Sequence, residues 1–248
     1  MKKIYLVLLV IGLISGLFIG CTPTIPPVGE GESEDEDETI NRVVLVELFT
    51  TGCPFCKEVE PIVEQLAEEY VRSEMILVEE RPWGSPVTPE ANDRYQWYLP
   101  NSDDRKTPNT FFNGSNQRIW LTGSYYLFKS KIIAELAKDS KISINVNRNE
   151  NSGTTILTGK IKNISESTLS NLVINGMTFK DYGEPGQKYT VLDIFAGVKE
   201  VGISLEPDAE QSFTFTLEDV NWNTNQIHGV IFVQSSSTKE IFHAKYIE

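Results

Sequence analysis

Cys53-Pro54-Phe55-Cys56 is the stretch of this 248-residue chain whose residue types and spacing point most directly to chemistry. Two thiols three positions apart at the start of a helix are close enough to bridge. The first sits beside unpaired N–H groups and the positive end of the helix dipole, which favours the thiolate that attacks disulfides. Cys53 is therefore expected to be the nucleophile and Cys56, deeper in the helix, the resolving thiol. Pro54 removes a backbone donor and Phe55 supplies no polar partner; both are expected to face the substrate. A purely structural bridge across so short a loop would add only about 1–2 kcal/mol by chain entropy, so thiol–disulfide exchange is the better reason for the spacing. Other schemes lack residues. The chain has three Cys and two His. His228 and His243 lie in strand-like runs of the second half, against a Cys–His nucleophile. A zinc site would need two further ligands. The expected chemistry uses no metal and no cofactor other than the Cys53–Cys56 disulfide.

The elements that must hold these residues follow from periodicity. Val43 to Phe49 is a short, mostly apolar, β-branched run that suits a strand covered on both faces. Thr50-Thr51-Gly52 breaks it just before the first cysteine. Val59, Ile62, Val63, Leu66, Ala67, Tyr70 and Val71 then recur at helical spacing, with Glu58, Glu60, Glu64 and Glu68 expected on the polar face. Pro61 should kink that helix. Met75 to Val78 predicts a second strand. Thr88-Pro89-Glu90 predicts a helix start that runs to about Leu99. Asn109 to Phe112 and Gln117 to Leu121 flank Asn113-Gly114, a strong hairpin signal. Leu127, Phe128, Ile132, Ile133, Leu136 and Ala137 mark a closing amphipathic helix.

The order β-α-β-α-β-β-α, with the Cys pair between the first strand and helix, resembles thioredoxin. Pro61 falls five residues after the second Cys, as in that family. Glu47 falls six residues before the first, where thioredoxin carries a buried Asp. Thr107-Pro108 stands just before the hairpin, where the fold places a cis-proline facing the disulfide. The sequence departs in having Gly52 in place of a Trp and a long stretch between Val78 and Thr107. Its Cys-Pro-Phe-Cys is similar to glutaredoxin and Dsb-type motifs. The resemblance implies an α/β thioredoxin-like domain over 40–140, with Glu47 as a proton acceptor for Cys56. It also implies that Thr107 and Pro108 present backbone to the disulfide and to a substrate strand. Trp83, Tyr95, Trp97 and Tyr98, in the long stretch, suit either a wall beside the site or core packing.

From 141 to 248 the helical patterns stop. Alternating runs at 142–146, 156–161, 172–174 and 212–217, with 229–234 and 240–247, give about seven strands separated by Asn-, Ser- and Gly-rich turns. That spacing predicts an all-β, Ig-like sandwich without a stapling Cys pair. Asp181, Glu184 and Asp193 lack the spacing of a calcium loop. The segments 46–56, Ile231 to Gln234 and Thr238 to Ile241 resemble a family of outer-membrane lipoproteins that join a thioredoxin-like domain to a β-sandwich.

Met1-Lys2-Lys3 followed by the apolar run Ile4 to Ile19 has the build of a signal peptide over 1–20. Leu17-Phe18-Ile19-Gly20-Cys21 resembles a bacterial lipobox, which implies lipidation of Cys21 and a membrane anchor. Residues 21–39 hold three Pro and seven acids, and are expected to form an extended acidic tether. A net charge of −13 argues against nucleic acid as a partner. The expected protein is a lipid-anchored envelope thiol–disulfide oxidoreductase. It would act on a protein thiol or disulfide and exchange electrons with a separate redox protein. The alternative is a non-enzymatic envelope lipoprotein whose sandwich binds a partner.

Overall fold

Val44–Phe49 (β1) is buried along its whole length, as an apolar strand must be when both its faces are covered. The computed structural model describes residues 40–84, 88–121, 123–151, 153–184, 186–195, 202–218, 222 and 227–247. The expected leader, Cys21 and the expected tether lie outside them. β1 pairs in parallel with β2 (Met75–Glu80) and antiparallel with β3 (Asn109–Phe112). Asn113 and Gly114, both at positive φ, turn β3 toward β4 (Arg118–Trp120). Helices α1 (Pro54–Glu69), α2 (Pro89–Tyr98) and α3 (Tyr125–Leu136) separate these strands in the predicted order.

The remaining strands are β5 (Ile142–Asn151), β6 (Thr154–Asn163), β7 (Leu169–Lys180), β8 (Thr190–Phe195), β9 (Ile203–Leu205), β10 (Glu210–Glu218), β11 (Ile227–Ser235) and β12 (Ile241–Ile247). They do not form a separate domain behind an α/β one, and this overturns the expected fold class. β2 is continued on its outer edge by β8, in parallel, through Glu79 opposite Thr190. The result is one mixed nine-stranded sheet in the order β12-β11-β7-β8-β2-β1-β3-β4, with β9 paired to β7. Twelve strands against three α-helices make the described chain mostly β. The described residues form a single compact unit.

The physical reason lies in β2. All six of its residues are buried, so its second edge needs a partner, and an open edge there would leave backbone groups unpaired. β8 supplies it: the Glu79 N–H donates to the Tyr189 carbonyl at 2.8 Å. Val44, Val46 and Leu77 accordingly share one core with Met177, Phe179, Val191, Val230 and Phe232. The sandwich expectation survives in part. The sheet β10-β6-β5 packs Ile144, Leu157, Ile161 and Leu217 against Leu172, Ile231 and Val233 of the large sheet.

A buried ion cluster ties β1, β2, α2 and β11 together. Arg94 Nε donates to Glu47 Oε1 at 2.5 Å, Nη1 to Gln234 Oε1 at 3.0 Å and Nη2 to the Tyr98 hydroxyl at 2.7 Å. Tyr98 in turn donates to Glu47 Oε2 at 2.6 Å. Glu80 lies 3.8 Å from Arg94 Nε. Burial, and then the Glu47 charge, push the Glu80 carboxyl well above its ordinary range. Removing the Arg94 guanidinium leaves the Glu47 carboxylate buried without its charge partner. Arg94→Met is expected to lower the unfolding free energy by about 3–5 kcal/mol, measured by urea denaturation. A loss under about 1 kcal/mol, the level of an exposed ion pair, would contradict this role.

Candidate functional site

The strand β1 delivers the chain to Thr50-Thr51-Gly52, and Gly52 takes φ +69°, a conformation glycine adopts without steric cost. This sharp turn sets Cys53 as the N-cap of α1, with Pro54 in the first turn, where its missing N–H costs nothing. Cys53 and Cys56 form a disulfide with their Cα atoms 4.9 Å apart. The Cys56 N–H donates to Cys53 Sγ at 3.1 Å, so the capping atom is the sulfur itself. Cys56 is fully buried and Cys53 is partly exposed. Phe55 is 56% exposed, and Pro54 also faces solvent.

The Thr107–Pro108 peptide is cis. The Thr107 carbonyl lies within 3.5 Å of Cys53 Sγ and the Thr107 hydroxyl within 3.9 Å of the same atom. Thr51 Oγ1 bridges the two walls of the site, 2.8 Å from Thr107 Oγ1 and 3.9 Å from Cys56 Sγ. The structure thus brings Cys53, Cys56, Pro54, Phe55, Thr107 and Pro108 together at one end of the sheet. Glu47 is placed differently: its carboxylate hydrogen-bonds with Arg94 and Tyr98, on the face where Phe49, Tyr95, Tyr98 and Phe111 pack. Tyr95 and Tyr98 are core residues, whereas Trp83 is 42% exposed and tilts against Tyr95.

Sequence reasoning missed a second group of carboxylates. Glu60 and Glu64, expected on the solvated face of α1, are buried together with Glu79 of β2. The Thr50 hydroxyl donates to Glu60 Oε1. The Gly186 N–H donates to Glu64 Oε1 at 2.6 Å, and the Tyr189 N–H to Glu79 Oε2 at 3.1 Å. Arg81 Nη2 donates to the Gly186 carbonyl at 2.7 Å. The loop before β8 therefore covers this face of α1, so that a helix position polar by type is buried by a segment more than a hundred residues away. One local signal was available: Glu60 and Glu64 stand at i+4 and i+8 from the buried Cys56.

Among solved structures, HBP35 of Porphyromonas gingivalis matches 84% of this chain and 75% of its own, at 14% identity and a TM-score of 0.65. At that identity the likeness is one of fold. A domain of the outer membrane lipoprotein Omp28 from the same organism matches 44% of this chain and 88% of its own, at 15% identity, with a TM-score of only 0.32. No protein-family model matches the chain, and no curated protein does.

Burial, followed by the charge of Glu64, pushes the Glu79 carboxyl from 4.5 up to about 8. A carboxyl raised in the native state binds more protons folded than unfolded between those two values. Its contribution to stability is fully present below about pH 4.5 and is lost as pH rises through about 8. The stability advantage of wild type over Glu79→Gln is expected to shrink steadily across that window, read from urea midpoints. His243, pushed down to about 4 by burial, acts in the opposite sense below about 6.5 but cancels in the comparison. A difference that stays constant or grows with pH would contradict the raised Glu79.

Proposed function

We propose that this protein is a thiol–disulfide oxidoreductase of the bacterial cell envelope, anchored by lipid on Cys21, whose working group is the Cys53–Cys56 disulfide. The observation that carries the reading is the asymmetry of the pair. Cys53 is partly exposed and its Sγ caps a helix and receives the Cys56 N–H at 3.1 Å, whereas Cys56 is fully buried. A thiolate from a partner would therefore attack Cys53, and Cys56 would be the leaving thiolate inside the protein. The same N–H that caps the helix stabilises negative charge on Cys53 when the bond opens.

In the reaction a substrate thiolate attacks Cys53 Sγ, the Cys53–Cys56 bond breaks, and its electron pair leaves on Cys56. A second substrate thiolate then releases the mixed disulfide from Cys53, oxidising the substrate and leaving the reduced Cys pair. The reverse sequence reduces a substrate disulfide. Thr107 and Pro108 line the approach to Cys53, with Pro54 and Phe55 on the other side; an extended substrate segment would lie between them. Glu47 supports the site from a distance, by holding β1 through Arg94 and Tyr98. Anchorage and envelope location rest on the leader and on Cys21 at its end.

Titration of the protein without its lipid against glutathione, with thiols trapped and Trp fluorescence followed, is expected to give a potential between about −120 and −270 mV. A value below about −300 mV, with thiols closed to alkylation, would mark a structural bridge. It would leave an envelope protein that acts by binding a partner.

A further inference from the structure

Glu60 stands one turn after Cys56 on α1, an i, i+4 pair whose Cβ atoms lie about 5–6 Å apart, and both residues are buried. Its carboxylate is tied to the loop that carries Cys53. Glu60 Oε1 accepts the Thr50 hydroxyl, and Thr50 Oγ1 lies 3.5 Å from the Gly52 N–H. On its other side the carboxylate lies against Gly186, at φ +75°, where a Cβ would collide with Glu60 Oε2 and Cδ. The loop before β8 can close over Glu60 because residue 186 has no side chain. The Glu47 carboxylate, by contrast, is engaged by Arg94 and Tyr98.

The exchange reaction needs a base here. Cys56 is buried, and a thiol with an ordinary pKa near 8.5 resists ionisation in such surroundings. Thr51 Oγ1, 3.9 Å from Cys56 Sγ, is a neutral hydroxyl that can pass a proton on but not keep one.

Building on the proposed exchange reaction, we infer that Glu60 takes the proton of the Cys56 thiol during resolution and returns it in the reverse direction. In the mixed disulfide between Cys53 and substrate, the Cys56 proton moves to the Glu60 carboxylate. The Cys56 thiolate attacks Cys53 Sγ, and the Cys53–substrate bond breaks with its electron pair on the substrate sulfur. The substrate sulfur is reduced and the Cys pair oxidised. Among the described residues, the charged groups coupled to Glu60 lie on α1 and β2. Glu64 on the same helix and Glu79 on β2 each feel its charge, and Arg81 after β2 acts on Glu79. Lys188, just past Gly186, reaches Glu64 and Glu68 at 4.0 and 2.7 Å. The charge of Glu60 is one of the causes that raise the Glu79 carboxyl.

The test mixes the fully reduced protein with oxidised glutathione and follows, across about pH 6 to 9, the resolution of the Cys53–glutathione disulfide by Cys56. Glu60→Gln is expected to slow resolution by about 10²-fold near neutral pH. The gap should narrow as pH rises, because a growing fraction of the thiol then ionises without a base. Iodoacetamide labelling of Cys53 should be unchanged, and Glu60→Asp should recover part of the rate. A wild-type pH profile in Glu60→Gln, or slowing by the same factor at every pH, would overturn the inference. Should Glu60→Gln fail to fold, Thr50→Val carries the test. Removing the hydroxyl that holds the carboxylate should slow the same step in the same pH range, and an unaltered rate overturns the proposal. If wild type never forms the glutathione adduct, the exchange reading itself fails, and Glu60 falls with it. Normal exchange in wild type with an indifferent Glu60 removes only the latter.

Discussion

One guanidinium, Arg94, lies fully buried between the carboxyl groups of Glu47 and Glu80, and the positions of four elements follow from it. Glu47 and Glu80 belong to β1 and β2, Arg94 and Tyr98 to α2, and Gln234 to β11. A buried charge is tolerable only with its partners in place, so these elements are held in one relative arrangement. β1 runs from this cluster into the loop that turns at Gly52 and sets Cys53 at the head of α1. The geometry of the disulfide is thereby referred to a strand that β11 helps to fix, and residues from both ends of the sequence build the ground the site stands on.

Glu79 and Glu80 are neighbours on β2, and successive strand residues face opposite sides of a sheet. The two carboxyls accordingly serve two clusters. Glu80 faces Arg94 and α2, while Glu79 faces α1, where Glu60 and Glu64 lie under the loop around Gly186. Desolvation is the largest cause of the upward shift in both. The side of the sheet that packs on α1, the helix of Cys56, is the side on which Glu60, Glu64 and Glu79 gather.

Local patterns in the sequence carried much of this. The apolar run 43–49, the helical spacing after Cys56, the Asn113-Gly114 turn and the 127–137 helix all mark elements that form where expected. So did Thr107-Pro108, which is cis and meets Cys53. What local patterns cannot carry is long-range pairing. Thr190 to Phe195 stands outside the runs that predict strands, yet β8 is the strand that joins the two halves into one sheet, and with it goes the expectation of an α/β domain followed by a separate sandwich. The same limit hid the partners of Glu47, since Arg94 and Gln234 are 47 and 140 residues apart from Glu47 and Arg94 respectively. Glu60 and Glu64 read as solvated helix positions because the segment that buries them, around Gly186, follows more than a hundred residues later.

The account rests on one asymmetry, an accessible Cys53 in front of an inaccessible Cys56. The most direct measurement is alkylation of the reduced, folded protein with iodoacetamide, with the modified residue located by mass spectrometry and the reaction repeated in denaturant. Labelling at Cys53 alone in the folded protein, with Cys56 reacting only after unfolding, is the result the structure predicts. Equal labelling of both thiols, or faster labelling of Cys56, would contradict it.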